Sequence, residues 1–208
     1  DNTPVKSATV NGAQSFEMLM SFADGEEGIY YFVMKEDSSP NAGGVGYDAG
    51  EYRITVNISD SGNGALTASV DMYRPGVGNT TEAVFTNEYG VTPITVALMG
   101  TKSLINSVTQ KALSMTDGMF SFEVFEGDNR VANGVSLADG TIKFDSITYT
   151  GTGIHTYKVV ECAGNDDGII YDTTVFTVTV TVTDNGDGTL SASFEYEAPI
   201  AFVNKYVH

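Results

Sequence analysis

The chain has 208 residues, 41% of them hydrophobic and many of them aromatic or β-branched, so it holds enough apolar material for packed cores and is no disordered linker. Its 27 acidic against 10 basic residues leave a formal charge of −17, which repels phosphate backbones and anionic lipid and excludes nucleic acid and membrane surfaces as partners. A lone cysteine, Cys162, excludes an intramolecular disulfide, and no apolar run reads as a membrane span or signal peptide.

In chain order, Gly28 to Glu36 reads as a strand and is followed by a glycine-rich loop from Pro40 to Gly46. Gly44-Val45-Gly46 formally fits part of a dinucleotide fingerprint, but a strand follows it instead of a helix, so it is a loop. Ser61 to Ala65 is a turn, and Arg74 to Thr81 a longer loop. Gly90 to Pro93 is a junction too brief for independent motion, which predicts a stiff head-to-tail rod. Thr109 to Met115 is the one stretch with a trace of helical periodicity. Tyr171 to Asp184 alternates strictly, with Phe176, Val178, Val180 and Val182 on one face, and predicts a half-buried strand. Asp184 to Gly188 has neither the alternating ligands nor the terminal glutamate of a calcium loop, so it reads as the turn of a hairpin completed by Leu190 to Tyr196.

These elements occur twice. Gly28–Glu36 aligns with Gly153–Glu161 at an offset of 125, Tyr47-Asp48 with Tyr171-Asp172 at 124, and Phe85–Tyr89 with Phe202–Tyr206 at 117. Asp1-Asn2 falls on Asp128-Asn129, so the first copy lacks counterparts of the strands that open the second. The sequence therefore predicts an all-β protein of two tandem immunoglobulin-like antiparallel β-sandwich domains, residues 1–90 and 91–208, the first without its N-terminal strand or strands.

Three residues of the second copy form a set with chemistry. Tyr157, Val159 and Glu161 share one strand face, and Asn204 stands between Phe202 and Tyr206 at two-residue spacing, so both polar side chains are expected to point inward. A buried Lys102 amine, kept neutral by desolvation, can attack the Asn204 carboxamide and expel ammonia. A protonated Glu161 is expected to hydrogen-bond the Asn204 carbonyl and shuttle protons. In the first copy Glu36 and Asn87 take the matching places, but no lysine does: Lys6 falls in a different strand and Lys35 faces away from Glu36. No bond is expected within the first copy, and an uncovered sheet edge is. The histidines His155 and His208 are too few for a triad or zinc site, and neither cofactor nor metal is expected.

The motifs GTKSL at Gly100, YKVVE at Tyr157 and AFVNKY at Ala201, with the long alternating strand between the last two, resemble the isopeptide-containing backbone pilins and adhesin stalk repeats of Gram-positive bacteria, of the T-antigen pilin type. The resemblance implies that Lys102 and Asn204 are the cross-linked pair and Glu161 the catalytic carboxylate. It further implies a structural, non-enzymatic module on the cell surface, wall-anchored or in a pilus, whose partners are neighbouring stalk or pilin subunits. The competing expectation is an adhesin domain that binds host carbohydrate or protein through the loops Pro40–Gly46 and Arg74–Thr81.

Overall fold

Every regular element of the computed structural model, which describes residues 5–38 and 42–207, is a strand; among these residues there is no helix. Two units form. One comprises residues 5–38 and 47–87, and the other residues 42–46 and 88–207. Asp1, Asn2, Pro40, Asn41 and His208, which figure in the sequence reading, lie outside the described residues.

The first unit is a four-stranded antiparallel sheet in the order β1-β3-β4-β5, with β1 Gly28–Lys35, β3 Glu51–Asp60, β4 Leu66–Arg74 and β5 Gly78–Thr80. Alternation in β3 buries Tyr52, Ile54, Val56 and Ile58, and Phe22, Phe32, Met34 and Met72 pack against the last three. On β1 the outward residues Ile29, Tyr31 and Val33 are exposed. Tyr52 anchors the segment after β5 by donating its hydroxyl to the Val84 carbonyl and accepting from the Val84 amide, each at 2.8 Å.

In the second unit β2 (Val45–Gly46) pairs with β6 (Glu88–Tyr89), and β7 (Ile94–Val96) with β13 (Ile147–Tyr149). The remaining strands are β8 Met99–Asn106, β9 Ala112–Leu113, β10 Ser121–Glu126, β11 Asn129–Ser136, β12 Thr141–Phe144, β14 Gly153–Glu161, β15 Ile169–Ile170, β16 Phe176–Asp184, β17 Leu190–Tyr196 and β18 Ala201–Tyr206. They run in one ladder, β15-β18-β8-β12-β11-β10-β14-β16-β17, with β9 beside β8. The ladder folds on itself into a sandwich: Phe122 of β10 and Phe202 of β18, far apart in strand order, meet with ring centroids 5.0 Å apart. Phe122, Val124, Val159, Val178 and Val180 are fully buried between the layers.

Two expectations change. The long alternating segment becomes a strand only from Phe176, because residues 171–175 leave the ladder; Tyr171 still packs on the core, 6.2 Å from Phe120. Residues 109–115 form no helix. Asn106 caps the turn by accepting from the Val108 and Thr109 amides, Gln110 takes a positive φ of 57°, and Ala112-Leu113 returns to pair with β8.

Candidate functional site: a buried lysine, glutamate and asparagine

β8 and β18 are neighbours in the ladder and run parallel, with Phe202 opposite Lys102 and Asn204 opposite Leu104. Because residues two apart share a face, Lys102, Leu104, Phe202 and Asn204 all point into the sandwich. Glu161 arrives from the other layer, at the end of β14 and opposite Phe122 of β10. Threonine and valine alternation along β16 holds β14 in register through seven residue pairs, which fixes where the glutamate lands.

The three side chains meet at the carboxylate. Lys102 Nζ donates to Glu161 Oε2 at 2.7 Å, and Asn204 Nδ2 donates to Glu161 Oε1 at 2.6 Å. Both ionisable side chains are 0% exposed, and Asn204 is also fully buried. Rings form the walls, with the ammonium 4.7 Å from the centroid of Phe120 and 5.9 Å from that of Phe202. Burial pushes the Lys102 amine below its usual range, and it outweighs the opposing pull of the Glu161 hydrogen bond and charge.

The carboxamide is oriented differently from the sequence expectation. Its oxygen does not meet Glu161; Oδ1 accepts from the backbone N–H of Asp172 at 2.8 Å. A backbone N–H can only donate, so the Asp172 N–H dictates that the end of the carboxamide it meets is the oxygen. Glu161 thus touches the lysine nitrogen and the carboxamide nitrogen, and the Asp172 N–H touches the carboxamide oxygen. Asp172 is not among the residues expected from sequence, and the one local signal for it is the Tyr-Asp dipeptide that repeats at Tyr47-Asp48 and Tyr171-Asp172.

The first unit assembles the same set without a lysine. Asn87 Nδ2 donates to Glu36 Oε1 at 2.6 Å, and the Asp48 N–H donates to Asn87 Oδ1 at 2.9 Å. Asn87 is exposed and Glu36 half-buried. The Asp48 carboxylate also accepts from the Arg74 guanidinium with both oxygens, at 3.0 and 2.9 Å. Of the loops considered for a host ligand, Arg74–Thr81 is the β4–β5 hairpin, flanked by an exposed Tyr73 and carrying an exposed Val77. His155 lies on β14 with Nδ1 2.8 Å from Glu126 and its ring against Tyr149, apart from the lysine set. Among the described residues no cluster of histidine, cysteine and acidic side chains is arranged to hold a metal.

Two solved structures of variants of the major pilin from Streptococcus pyogenes align with 88% of this chain and 72% of theirs, at 16% and 15% identity and TM-scores of 0.31 and 0.29. No curated protein matches the chain. The sequence pattern of the Spy0128-like isopeptide-containing domain (FctA) matches residues 1–90 and 99–207. The chain therefore belongs to the Spy0128-like isopeptide-containing domain family.

Proposed function

We propose that the chain is a structural stalk module of a Gram-positive pilus or surface fibre, stabilised by an autocatalytic isopeptide bond between Lys102 and Asn204, with domains at residues 1–90 and 91–208. The observation that carries this reading is the single buried carboxylate, Glu161, hydrogen-bonded at once to the amine and to the carboxamide nitrogen.

The reaction balances with these groups alone. Glu161 takes a proton from the Lys102 ammonium, leaving a neutral amine with its lone pair free. Nζ attacks Cγ of Asn204, and the carbonyl electrons move onto Oδ1. Glu161 returns its proton to Nδ2 and takes a second from Nζ. The Cγ–Nδ2 bond breaks, ammonia leaves, and an amide and a protonated Glu161 remain. Nothing regenerates the starting groups, so each molecule reacts once. Fixing both partners on adjacent strands supplies the orientation, which is worth ~7 to 11 kcal/mol of barrier in well-aligned systems.

The bond lies between a strand near the start of the second domain and its last strand. Tension applied along the chain passes through it and bypasses the hairpins between. In this reading the partners are neighbouring stalk or pilin subunits and the location is the cell surface. The first domain, with Glu36 and Asn87 but no lysine of this chain beside them, carries no internal bond as it stands.

The test is the intact mass of the denatured protein beside Glu161→Ala. A loss of about 17 Da, one ammonia, is expected in the wild type and not in the variant. Full mass in both would remove the cross-link from the reading.

A further inference from the structure

We propose that the Tyr171-Asp172 turn is the carbonyl-activating element of the cross-linking reaction: the Asp172 backbone N–H stabilises the oxyanion that forms on Asn204 Oδ1, and the Asp172 side chain holds that N–H and strand β18 in alignment. This deepens the cross-linking reading and rests on it.

The geometry supports each part. The Asp172 N–H is 2.8 Å from Asn204 Oδ1, the atom on which negative charge develops when Nζ attacks. The Asp172 carboxylate turns back to accept from the Thr174 amide at 2.9 Å, which closes the turn on itself. Its other oxygen accepts at 2.8 Å from the amide of Val203, the residue just before Asn204. One residue therefore grips the reacting carboxamide and the backbone that carries it. Aspartate suits the position because its short side chain reaches an amide two residues on and still has a second oxygen for the neighbouring strand.

The first unit provides an independent observation. There the Asp48 N–H donates to Asn87 Oδ1, and the Asp48 carboxylate accepts from Gly50 at 2.8 Å and from Thr86, the residue before Asn87, at 3.2 Å. All three contacts recur, although this site is open to solvent and has no lysine. The bracket is thus built by the Tyr-Asp turn itself, and it recurs where an asparagine carbonyl must be held.

Division of labour follows. Glu161 handles protons on the two nitrogens, and Asp172 handles charge on the oxygen. Losing a single preorganised donor of this kind slows acyl-transfer reactions by roughly 100- to 1,000-fold.

The test exploits Cys162, a free thiol at which residues 162–208 can be ligated to 1–161 under denaturing conditions, so that the reaction starts on refolding. In one protein the Asp172 backbone N–H is replaced by an ester oxygen, with every side chain retained. A control carries the ester at Thr174, whose N–H meets the Asp172 carboxylate and not the carbonyl. The 17 Da loss is followed in time, and amide exchange across β14 and β16 checks the fold. The wild type should react, the Asp172 ester should be slower by roughly 100-fold or more with an unchanged pH profile, and the Thr174 ester by less than about tenfold. A folded Asp172 ester that reacts at the wild-type rate, or two esters equally slow, overturns the proposal and leaves the cross-link intact. A ligated wild type that loses no mass overturns the cross-linking reading, and this proposal with it. Should the ester fail to fold, amide exchange in Lys102→Met decides: the Asp172 N–H is expected to be protected and to lose protection when Asn204→Leu is added, and rapid exchange in Lys102→Met overturns the proposal.

Discussion

The lowered proton affinity of Lys102, on which the proposed reaction depends, comes from the cost of burying a charge. Its side chain is 0% exposed and faces two phenyl rings, and desolvation wins over the attraction of Glu161, so the amine surrenders its proton more readily than a surface lysine. The sign of the pH effect follows. The folded protein binds this proton less tightly than the unfolded chain, so in uncross-linked Asn204→Ala stability should rise with pH between the lowered value and 10.5, the ordinary lysine value. Denaturant midpoints measured across alkaline pH check this; a flat profile would mean that the ammonium is not penalised. The same burial makes each partner dependent on the other. Lys102→Met leaves Glu161 buried without its cation and should be less stable than Lys102→Met combined with Glu161→Leu by about 3 to 5 kcal/mol, read from urea unfolding.

At the scale of elements, parallel pairing of β8 with β18 is what brings the lysine and the asparagine together. Nothing in either segment announces that the first and last long strands of the domain are neighbours. GTKSL and AFVNKY each show a short alternation, and the register that sets Phe202 opposite Lys102 comes from packing against the other layer. Close contacts police that packing. A Cβ on Gly134 of β11 would lie 2.7 Å from the Phe144 ring on its partner strand, where the ring covers the space a side chain would take. Gly134→Val should therefore destabilise the second unit by about 1 to 3 kcal/mol and slow the cross-link, as β12 lies between β11 and β8. Urea unfolding and the time course of mass loss measure the two effects.

For the whole molecule, the proposed bond takes the place that disulfides hold in many extracellular proteins, in a chain with one cysteine. Closing a loop of ~100 residues restricts the unfolded chain by about 4.7 kcal/mol in the loop-entropy account. Asn204→Ala should accordingly lower the thermal midpoint of the second unit far more than Asn87→Ala lowers that of the first, for which no internal bond is proposed. Differential scanning calorimetry separates the two transitions, and equal shifts would count against a covalent tie confined to the second unit.

Much of this was legible in the residues themselves. Strict alternation in Val178, Val180 and Val182 determined a strand and its buried face, because a side-chain period of two needs no tertiary information. The internal repeat determined that Glu161 and Asn204 have partners in Glu36 and Asn87, because turns and alternating strands recur together. Tertiary structure decided the rest. That the strand begins at Phe176, that Ala112-Leu113 turns back to pair with β8, and that the Asn204 oxygen faces Asp172 while its nitrogen faces Glu161 all depend on hydrogen-bond partners supplied from elsewhere in the chain. Local pattern specifies which face of a strand is apolar; which donor meets which acceptor is decided only when the layers close and every buried polar atom must find its partner.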